Sequence, residues 1–237
     1  MTPVAYKIAL LLRRDPGLDR ASFVRQWLEH TSIPPLPQLL SRRFSADAGR
    51  DVPIENVATL AYDGVDELVF ESRAGAEAGM ADPALRQWLD ARRVMLSCAP
   101  DAISGTAVPI WARDADRSHA VKIFTLPIRR AGMTMDSFAS HWIDRHAGLA
   151  LAGPCTRERL LCLESTPADR AEWHGLTTAN FDGIGVIMFD SPESLAAEFA
   201  SDHYRTVMAP DEPRFTDPQH SRALMMQERL CNYFTSG

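Results

Sequence analysis

Residues 122–150 alternate first with the period of a strand and then with the period of a helix. The pattern predicts a short strand, a turn at Gly132, a helix N-cap at Thr134 and an amphipathic helix after it. At about 100° per residue, the angular step of an α-helix, His146 falls near the middle of the apolar face. The other residues predicted on that face are apolar: Phe138, Ala139, Trp142 and Ile143. A titratable ring is therefore predicted where an apolar side chain is expected.

The same stretch occurs twice, because residues 7–36 match residues 122–151 without a gap. One difference between the two copies bears on function, since Thr31 takes the place of His146. The neighbouring His30 does not replace that histidine, because one step along a helix turns it away from the apolar face. The matched pairs include Lys7 and Lys122, Arg14 and Arg129, Gly17 and Gly132, Phe23 and Phe138, and Trp27 and Trp142.

Each copy of the repeat predicts the element order β-α-β-β-α-β, which is the ferredoxin-like order. A sheet of this kind has helices on one face, so its other face must be buried against another layer. A second copy in the same chain is the natural partner. We therefore predict an α+β fold of two ferredoxin-like repeats packed sheet to sheet, residues 1–116 and residues 117–237. The boundary lies in the short polar segment 113–118.

Composition narrows the class of protein. The chain is 46% hydrophobic and 24% charged, as ordinary globular proteins are, and its net charge of −6 argues against nucleic-acid binding. Its longest apolar runs are far shorter than the ~20 residues that cross a bilayer. The first apolar run follows no basic region, so it predicts a strand and not a signal peptide. We expect a cytoplasmic protein without membrane contact.

Neither a metal nor a nucleotide cofactor is predicted. The four cysteines have no CxxC spacing and no histidine at the spacing of a metal site, so mostly buried free thiols are expected. His141 and His146 are five residues apart, a spacing at which α-helical side chains diverge and cannot share a metal. Glycine motifs that bind phosphate are missing from the sequence, so nicotinamide and nucleotide cofactors are not supported.

The second repeat contains three distinctive motifs. They are Phe138-x3-Trp142-x3-His146, the turn Phe181-Asp182-Gly183 before an apolar strand, and the tail APDEPRFTD at residues 209–217. These motifs resemble the EthD domain, a family named for ethyl tert-butyl ether degradation that belongs to the dimeric α/β-barrel superfamily. The resemblance extends more weakly over the first repeat, which has Thr31 in place of the histidine.

This resemblance implies a pseudo-dimeric barrel in one chain, with a ligand cavity between each sheet and its helices. A homodimer of the two-repeat chain is one expected assembly. The superfamily includes cofactor-free monooxygenases, muconolactone isomerase, polyketide cyclases and heme proteins, and EthD-like fungal members resemble dehydratases and decarboxylases. Because one fold serves all of these reactions, the resemblance implies architecture more sharply than chemistry.

His146 is the leading candidate for catalysis, as a general acid or base whose pKa is tuned by burial and by a nearby carboxylate. Its absence from the first repeat favours function over a purely structural role bonded to a carbonyl or carboxylate. Candidate partners for His146 are Asp211, Glu212 and Asp217, and Asp211 and Asp217 are assigned to the catalytic group. The alternative for these acids is a solvated loop between prolines.

Five further residues are expected to line the cavity of the second repeat. His203 and Tyr204 follow a predicted helix break and supply polar tips on apolar walls. Phe138, Trp142 and Phe215 complete the predicted substrate-binding set, and core packing under the helix is the alternative for Phe138 and Trp142.

The function predicted from these residues is that of an EthD-like enzyme acting on a hydrophobic, aromatic or polyketide-like small molecule. Proton abstraction next to a carbonyl would lead to elimination, isomerisation or cyclisation without a cofactor, in a lyase-type or isomerase-type reaction. The active cavity would belong to residues 117–237, and residues 1–116 would be a structural partner. Two alternatives stay open: a cofactor-free or heme-dependent oxygenase, with His146 as axial ligand in the heme case, and a non-catalytic binding module.

Overall fold

The computed structural model describes residues 5–29, 33–49, 58–59 and 61–234, with backbone only at 58–59. Thr31 and His30 lie outside the described residues. Within this part of the chain the fold is mixed α+β, with seven α-helices and eleven strands joined in one sheet. The strands are β1 Tyr6–Leu12, β2 Leu39–Asp47, β3 Ala58–Thr59, β4 Gly64–Phe70, β5 Asp101–Thr106, β6 Val108–Ala112, β7 Val121–Leu126, β8 Leu160–Pro167, β9 Thr177–Thr178, β10 Gly183–Phe189 and β11 Arg222–Tyr233.

The helices lie in the connections between these strands. They are α1 Arg20–Glu29, α2 Arg73–Ala81, α3 Pro83–Arg92, α4 Met135–Ser140, α5 Ala147–Leu151, α6 Thr156–Arg159 and α7 Pro192–Phe199. Two π-helical segments, His141–His146 and Tyr204–Met208, and two 3₁₀ turns, Arg93–Met95 and Glu212–Arg214, complete the helical structure of the described residues. In that same part of the chain, no helix has the length and apolar content needed to cross a membrane.

Capping residues fix where several helices begin. The side chain of Thr134, the predicted N-cap, accepts a hydrogen bond from the backbone N–H of Ser137. Asp82 caps α3 in the same way, and the proline after it fits the first helical turn, where no backbone donor is needed. Ser191 caps α7, which also begins with proline. The helix starts are therefore encoded locally.

The strands of the two halves of the chain lie in corresponding order. In residues 6–106 the order is β5-β1-β4-β2, and in residues 121–233 it is β11-β7-β10-β8, each with its first strand between the fourth and the third. The long strand β11 joins the halves, because its first part pairs with β7 and its second part with β2. At the other end, β6 pairs with β8 and follows β5 after a single residue.

Apolar side chains from both halves pack together on one face of this sheet. Leu11 and Val65 come from the first half, and Phe124, Val186 and Leu224 come from the second. Separate apolar clusters lie under the helices of each half, and these contain Trp27 and Ile123 respectively. The core thus consists of a shared layer between two helix-covered layers.

A buried ionic cluster also joins the halves. Lys7 of β1 and Lys122 of β7, which the sequence matches to each other, both donate to Glu67 of β4, at 2.5 and 3.2 Å. Lys7 also bonds Glu164, and Lys122 bonds Glu228 at 2.6 Å. Lys7, Glu67 and Lys122 are at most 1% exposed, so these charges depend on one another to offset the cost of burial.

All four cysteines are free thiols, as expected. Cys98 is exposed and the other three are half-buried, so the expectation of mostly buried thiols is wrong for Cys98. It lies in the short connection between the 3₁₀ turn that follows α3 and β5, where the chain runs on the surface.

Candidate active site

A cavity of about 140 Å³ lies between the helical segments of residues 142–208 and the sheet strands β7, β8 and β10. The loop after the second π-helical segment also contributes to its wall, through residues 212–216. Its apolar walls include Trp142, Ile187, Phe199 and Phe215, and its polar lining includes His146, Tyr204 and Glu212. A concave, mostly apolar site with a few converging polar groups is the usual form of a small-molecule site.

Two glycines of β10 make room for the ring of Trp142. A Cβ atom at Gly183 would lie 2.6 Å from Trp142 Cζ3, and one at Gly185 would lie 2.9 Å from Trp142 Cζ2. Both distances are below any real van der Waals contact, so a side chain at either position would push the indole away. Trp142 is 7% exposed and forms part of the cavity wall.

The π-helical segment brings His141 and His146 to the same acceptor. The backbone N–H of Ala147 bonds the carbonyl of Trp142, five residues back, and widens this turn of the helix. His141 Nε2 and His146 Nδ1 lie 3.0 and 3.1 Å from Asp211 Oδ2. The expectation that these histidines diverge is therefore wrong, because it assumed α-helical angles across a turn that is not α-helical.

Asp211 is the centre of this group of side chains. It is 3% exposed and also accepts a hydrogen bond from Arg145 Nε at 3.1 Å. Burial acts to raise the pKa of Asp211, but the hydrogen bonds from His141, His146 and Arg145 outweigh it and lower the pKa to about 2. Asp211 is therefore a carboxylate at neutral pH and only accepts hydrogen bonds.

His146 is held as a neutral ring with a defined tautomer. Burial lowers its pKa from the ordinary value of 6.5, and the hydrogen bond that the ring donates to Asp211 offsets part of that effect. Since the ionised carboxylate can only accept, the proton of the neutral ring sits on Nδ1 and leaves Nε2 as the basic nitrogen. Within the described ranges no hydrogen bond involves Nε2, and His146 lines the cavity.

Phe215 keeps both imidazole rings in place. Its ring centroid lies 4.9 Å from that of His141, with which it stacks, and 4.9 Å from that of His146, to which it is tilted. Phe215 is 3% exposed and reaches the cavity.

A histidine–aspartate pair beside an apolar cavity is an arrangement that a small-molecule enzyme would use. Comparison of the sequence with models of protein families gives one match. The model of the EthD domain family matches residues 130–219, which include the cavity-lining loop and both π-helical segments. Residues 130–219 are therefore similar to the EthD domain family.

Solved structures share the fold of the whole chain. A candidate monooxygenase from Fusobacterium nucleatum subsp. nucleatum is 8% identical with a TM-score of 0.66, over 98% of this chain and 96% of that one. An anthrone oxidase-like protein is 11% identical with a TM-score of 0.63, over 99% and 94%. A candidate monooxygenase from Lactobacillus acidophilus NCFM is 12% identical with a TM-score of 0.58, over 97% and 96%. Comparison with curated proteins gives no match.

Of the eight residues predicted for the site, the structure brings five together. Trp142, His146, Tyr204 and Phe215 line the cavity, and Asp211 holds His146 from behind. In the described chain, three other candidates lie outside the cavity lining: Phe138, His203 and Asp217.

Each of these three has a local contact outside the cavity. Phe138 is fully buried and packs against the rings of Trp142 and Phe215, at centroid distances of 5.4 and 5.9 Å. The Nε2–H of His203 donates to the carbonyl oxygen of Leu149 at 2.8 Å. Asp217 bonds Nδ1 of the exposed His220 at 2.8 Å.

Glu212 was predicted as a candidate partner of His146 but was not assigned to the catalytic group. The structure instead places it against Tyr204, whose hydroxyl donates to Glu212 Oε1 at 3.0 Å. Burial raises the pKa of Glu212 to about 7. His141 and Arg145 were not predicted as donors to Asp211. The π-helical turn that aligns them leaves the spacing of apolar residues unaltered, so periodicity does not reveal it.

The described residues contain no group of three or more His, Cys, Asp or Glu side chains arranged to hold a metal ion. His141 and His146 instead converge on a single oxygen of the Asp211 carboxylate.

Proposed function

We propose that this protein is an enzyme that removes a proton from a carbon next to a carbonyl in a small hydrophobic substrate. The observation that carries the proposal is the bond between His146 and Asp211 at the wall of an apolar cavity. His146 would take the proton on Nε2, and the Asp211 carboxylate would stabilise the imidazolium that forms. Elimination, isomerisation and cyclisation can all begin with this step.

The size of the cavity limits the reacting part of the substrate. A volume of about 140 Å³ is close to that of an engineered protein cavity of ~150 Å³ that binds benzene. The cavity therefore suits one six-membered ring. A larger aromatic or polyketide-like substrate would place a single ring inside and the remainder toward the surface.

The proposal includes the architecture of two ferredoxin-like repeats, residues 1–116 and 117–237, joined as an intramolecular barrel. It is supported by the corresponding strand orders of the two halves and by the matched positions of Lys7 and Lys122 in one buried ionic cluster. The first repeat would serve as the structural partner of the second.

A cofactor-free oxygenase is the second candidate function. It is supported by the names of the similar structures, two candidate monooxygenases and an anthrone oxidase-like protein. Such a reaction can begin with the same deprotonation, after which molecular oxygen reacts with the carbanion. A heme macrocycle of four pyrrole rings is larger than this cavity of about 140 Å³ and would have to extend through its open side.

The proposal is tested with cyclohexanone, a one-ring ketone, in deuterated buffer. The protein should accelerate exchange of the protons next to the carbonyl, measured by NMR, and His146→Ala should slow the exchange by ~10²–10⁴-fold. His220→Ala is the matched control, because it removes a histidine from an exposed pair with Asp217. Bound cyclohexanone without catalysed exchange would show a binding module, and ketone-dependent oxygen uptake would favour the oxygenase.

A further inference from the structure

We infer that Glu212 is the general acid of this cavity and gives its carboxyl proton to the substrate carbonyl oxygen while His146 removes the proton from carbon. The inference rests on the proposed function and assigns the second proton of the same step. It makes the Glu212 carboxyl a catalytic group and the Tyr204 hydroxyl a positioning group.

Two consecutive acids of the loop contact different helical segments. Asp211 bonds the π-helical segment His141–His146, and Glu212 bonds Tyr204, the first residue of the segment Tyr204–Met208. Glu212 begins a 3₁₀ turn, with proline as its next residue. The turn thus directs one carboxyl behind the histidines and the other into the cavity lining.

The neighbours of Glu212 favour its protonated form. Burial raises its pKa to about 7, the Tyr204 hydrogen bond lowers it, and the negative charge of Asp211 raises it. Glu212 therefore binds and releases a proton near neutral pH, while Asp211 beside it stays ionised. One carboxyl of the site is thus protonated and the other is ionised. The protonated carboxyl can act as an acid, while the ionised one supports the base.

The other acidic side chains that line the cavity form ion pairs, and the arginine of the lining donates to backbone carbonyls. Glu164 bonds Lys7, and Glu198 bonds Arg159 at 3.1 Å. Arg222 donates to backbone carbonyls. Among the acids that line the cavity in the described chain, Glu212 is the one with no ion pair to a basic side chain.

The step balances without an added reactant. Nε2 of His146 takes a proton from the carbon next to the carbonyl, and the electron pair of that C–H bond forms a carbon–carbon double bond. The carbonyl π-electron pair takes the proton of Glu212, which gives a neutral enol. His146 becomes an imidazolium beside Asp211, and Glu212 becomes a carboxylate that accepts from Tyr204. Return of the proton to a different carbon gives an isomer.

The test is cyclohexanone exchange over a pH series. Glu212→Gln keeps the size of the side chain but removes the acidic proton, so exchange should slow by ~10²–10⁴-fold. The exposed Glu193→Gln is the control and should leave the rate unchanged. Tyr204→Phe removes the hydrogen bond that lowers the pKa of Glu212, so the alkaline limb of the profile should move to higher pH. A lower rate without that movement would indicate that Tyr204 is only structural and would contradict its positioning role.

A second measurement does not depend on activity. The Glu212 carboxyl is titrated by ¹³C NMR in glutamate-labelled protein and identified by its loss in Glu212→Gln, or in Glu212→Asp if the glutamine variant does not fold. A midpoint near 7 supports the inference, and a midpoint near the ordinary value of 4.5 overturns it. Exchange that requires His146 but is unaffected by Glu212→Gln overturns the inference and leaves the proposed function intact. If cyclohexanone binds to the native protein but the protons next to its carbonyl do not exchange, both the inference and the proposed function are overturned.

Discussion

Asp66 occupies in β4 the position that Gly185 occupies in β10, each being the third residue of a strand that begins with glycine. Asp66 accepts from Trp27 Nε1 at 2.8 Å and from Arg42 Nη2 at 2.7 Å, and all three residues are at most 1% exposed. Gly185 has no side chain, and Trp142 and the cavity lie beside it. The first half thus has a buried polar cluster at the position where the second half has the Trp142 ring and the cavity beside a glycine.

The neighbouring strands extend this difference. Asp66 pairs with Phe44, and Gly185 pairs with Ser165, so a large ring stands in the first half where a small hydroxyl lines the cavity. This asymmetry supports assigning catalysis to the second half, on observations independent of Thr31.

Removing the Asp66 carboxylate should destabilise the protein strongly. Asp66→Ala leaves the buried Arg42 guanidinium without its bonded carboxylate, which should cost ~3–5 kcal/mol of unfolding free energy. The measurement is chemical denaturation. Asp90→Ala, which breaks an exposed pair with Arg93, is the control and should cost less than ~1 kcal/mol. A similar small loss for both variants would contradict this account of the first half.

The two matched tryptophans should contribute similarly to stability but differ in their effect on binding. Trp27→Ala and Trp142→Ala should each cost ~3–5 kcal/mol, since both indoles are buried. Only Trp142→Ala should enlarge the ligand cavity, so that naphthalene binding, followed by NMR shifts, becomes stronger in that variant alone. Losses of a few tenths of a kcal/mol would show that these side chains contribute little to the core.

Much of the fold was predictable because it depends on local patterns. The turn residue Asp182 lies before the strand that it was predicted to precede, and its carboxylate accepts from Arg129. Asp63 has the corresponding place before β4 and accepts from Arg14. The inward position of Trp142 followed from helical periodicity over residues 138–143. Such features need only the spacing of apolar residues and the chemistry of turns.

The details of the site were not predictable in this way. The π-helical turn shifts His141 onto Asp211 through one changed backbone hydrogen bond, which leaves the spacing of apolar residues unaltered. The roles of Asp211, Glu212 and Asp217 are equally open from sequence, because all three are acids in one proline-containing loop. Contacts with distant helices decide which acid is buried, and those contacts appear only in three dimensions.

Glu212 should make stability depend on pH. Because its folded-state pKa is raised to about 7, its contribution to stability is fully present below the unfolded value of 4.5 and is lost as pH rises toward 7. At pH 8, Glu212→Gln should therefore be more stable than the native protein by roughly 3 kcal/mol, and the two should be similar at pH 4. Denaturant unfolding at both pH values measures this, with Glu193→Gln as control. A difference that does not change with pH would show that Glu212 titrates normally.

The last prediction separates the two aspartates that the sequence offered as partners of His146. The exchange rate should rise with pH as His146 loses its proton, because its pKa lies below 6.5. The rate should fall again as Glu212, whose pKa is about 7, loses its proton, which gives a bell-shaped profile. Asp211 raises the pKa of His146, so Asp211→Asn should move the acid limb to lower pH.

The same variant should slow exchange by ~10²–10⁴-fold, because an amide stabilises the imidazolium less than a carboxylate does. Asp217→Asn is the matched control: its carboxylate bonds the exposed His220, so neither the limb nor the rate should change. The measurement is the pH profile of cyclohexanone exchange for both variants. An acid limb that moves with Asp217→Asn and not with Asp211→Asn would show that the wrong carboxylate has been paired with His146.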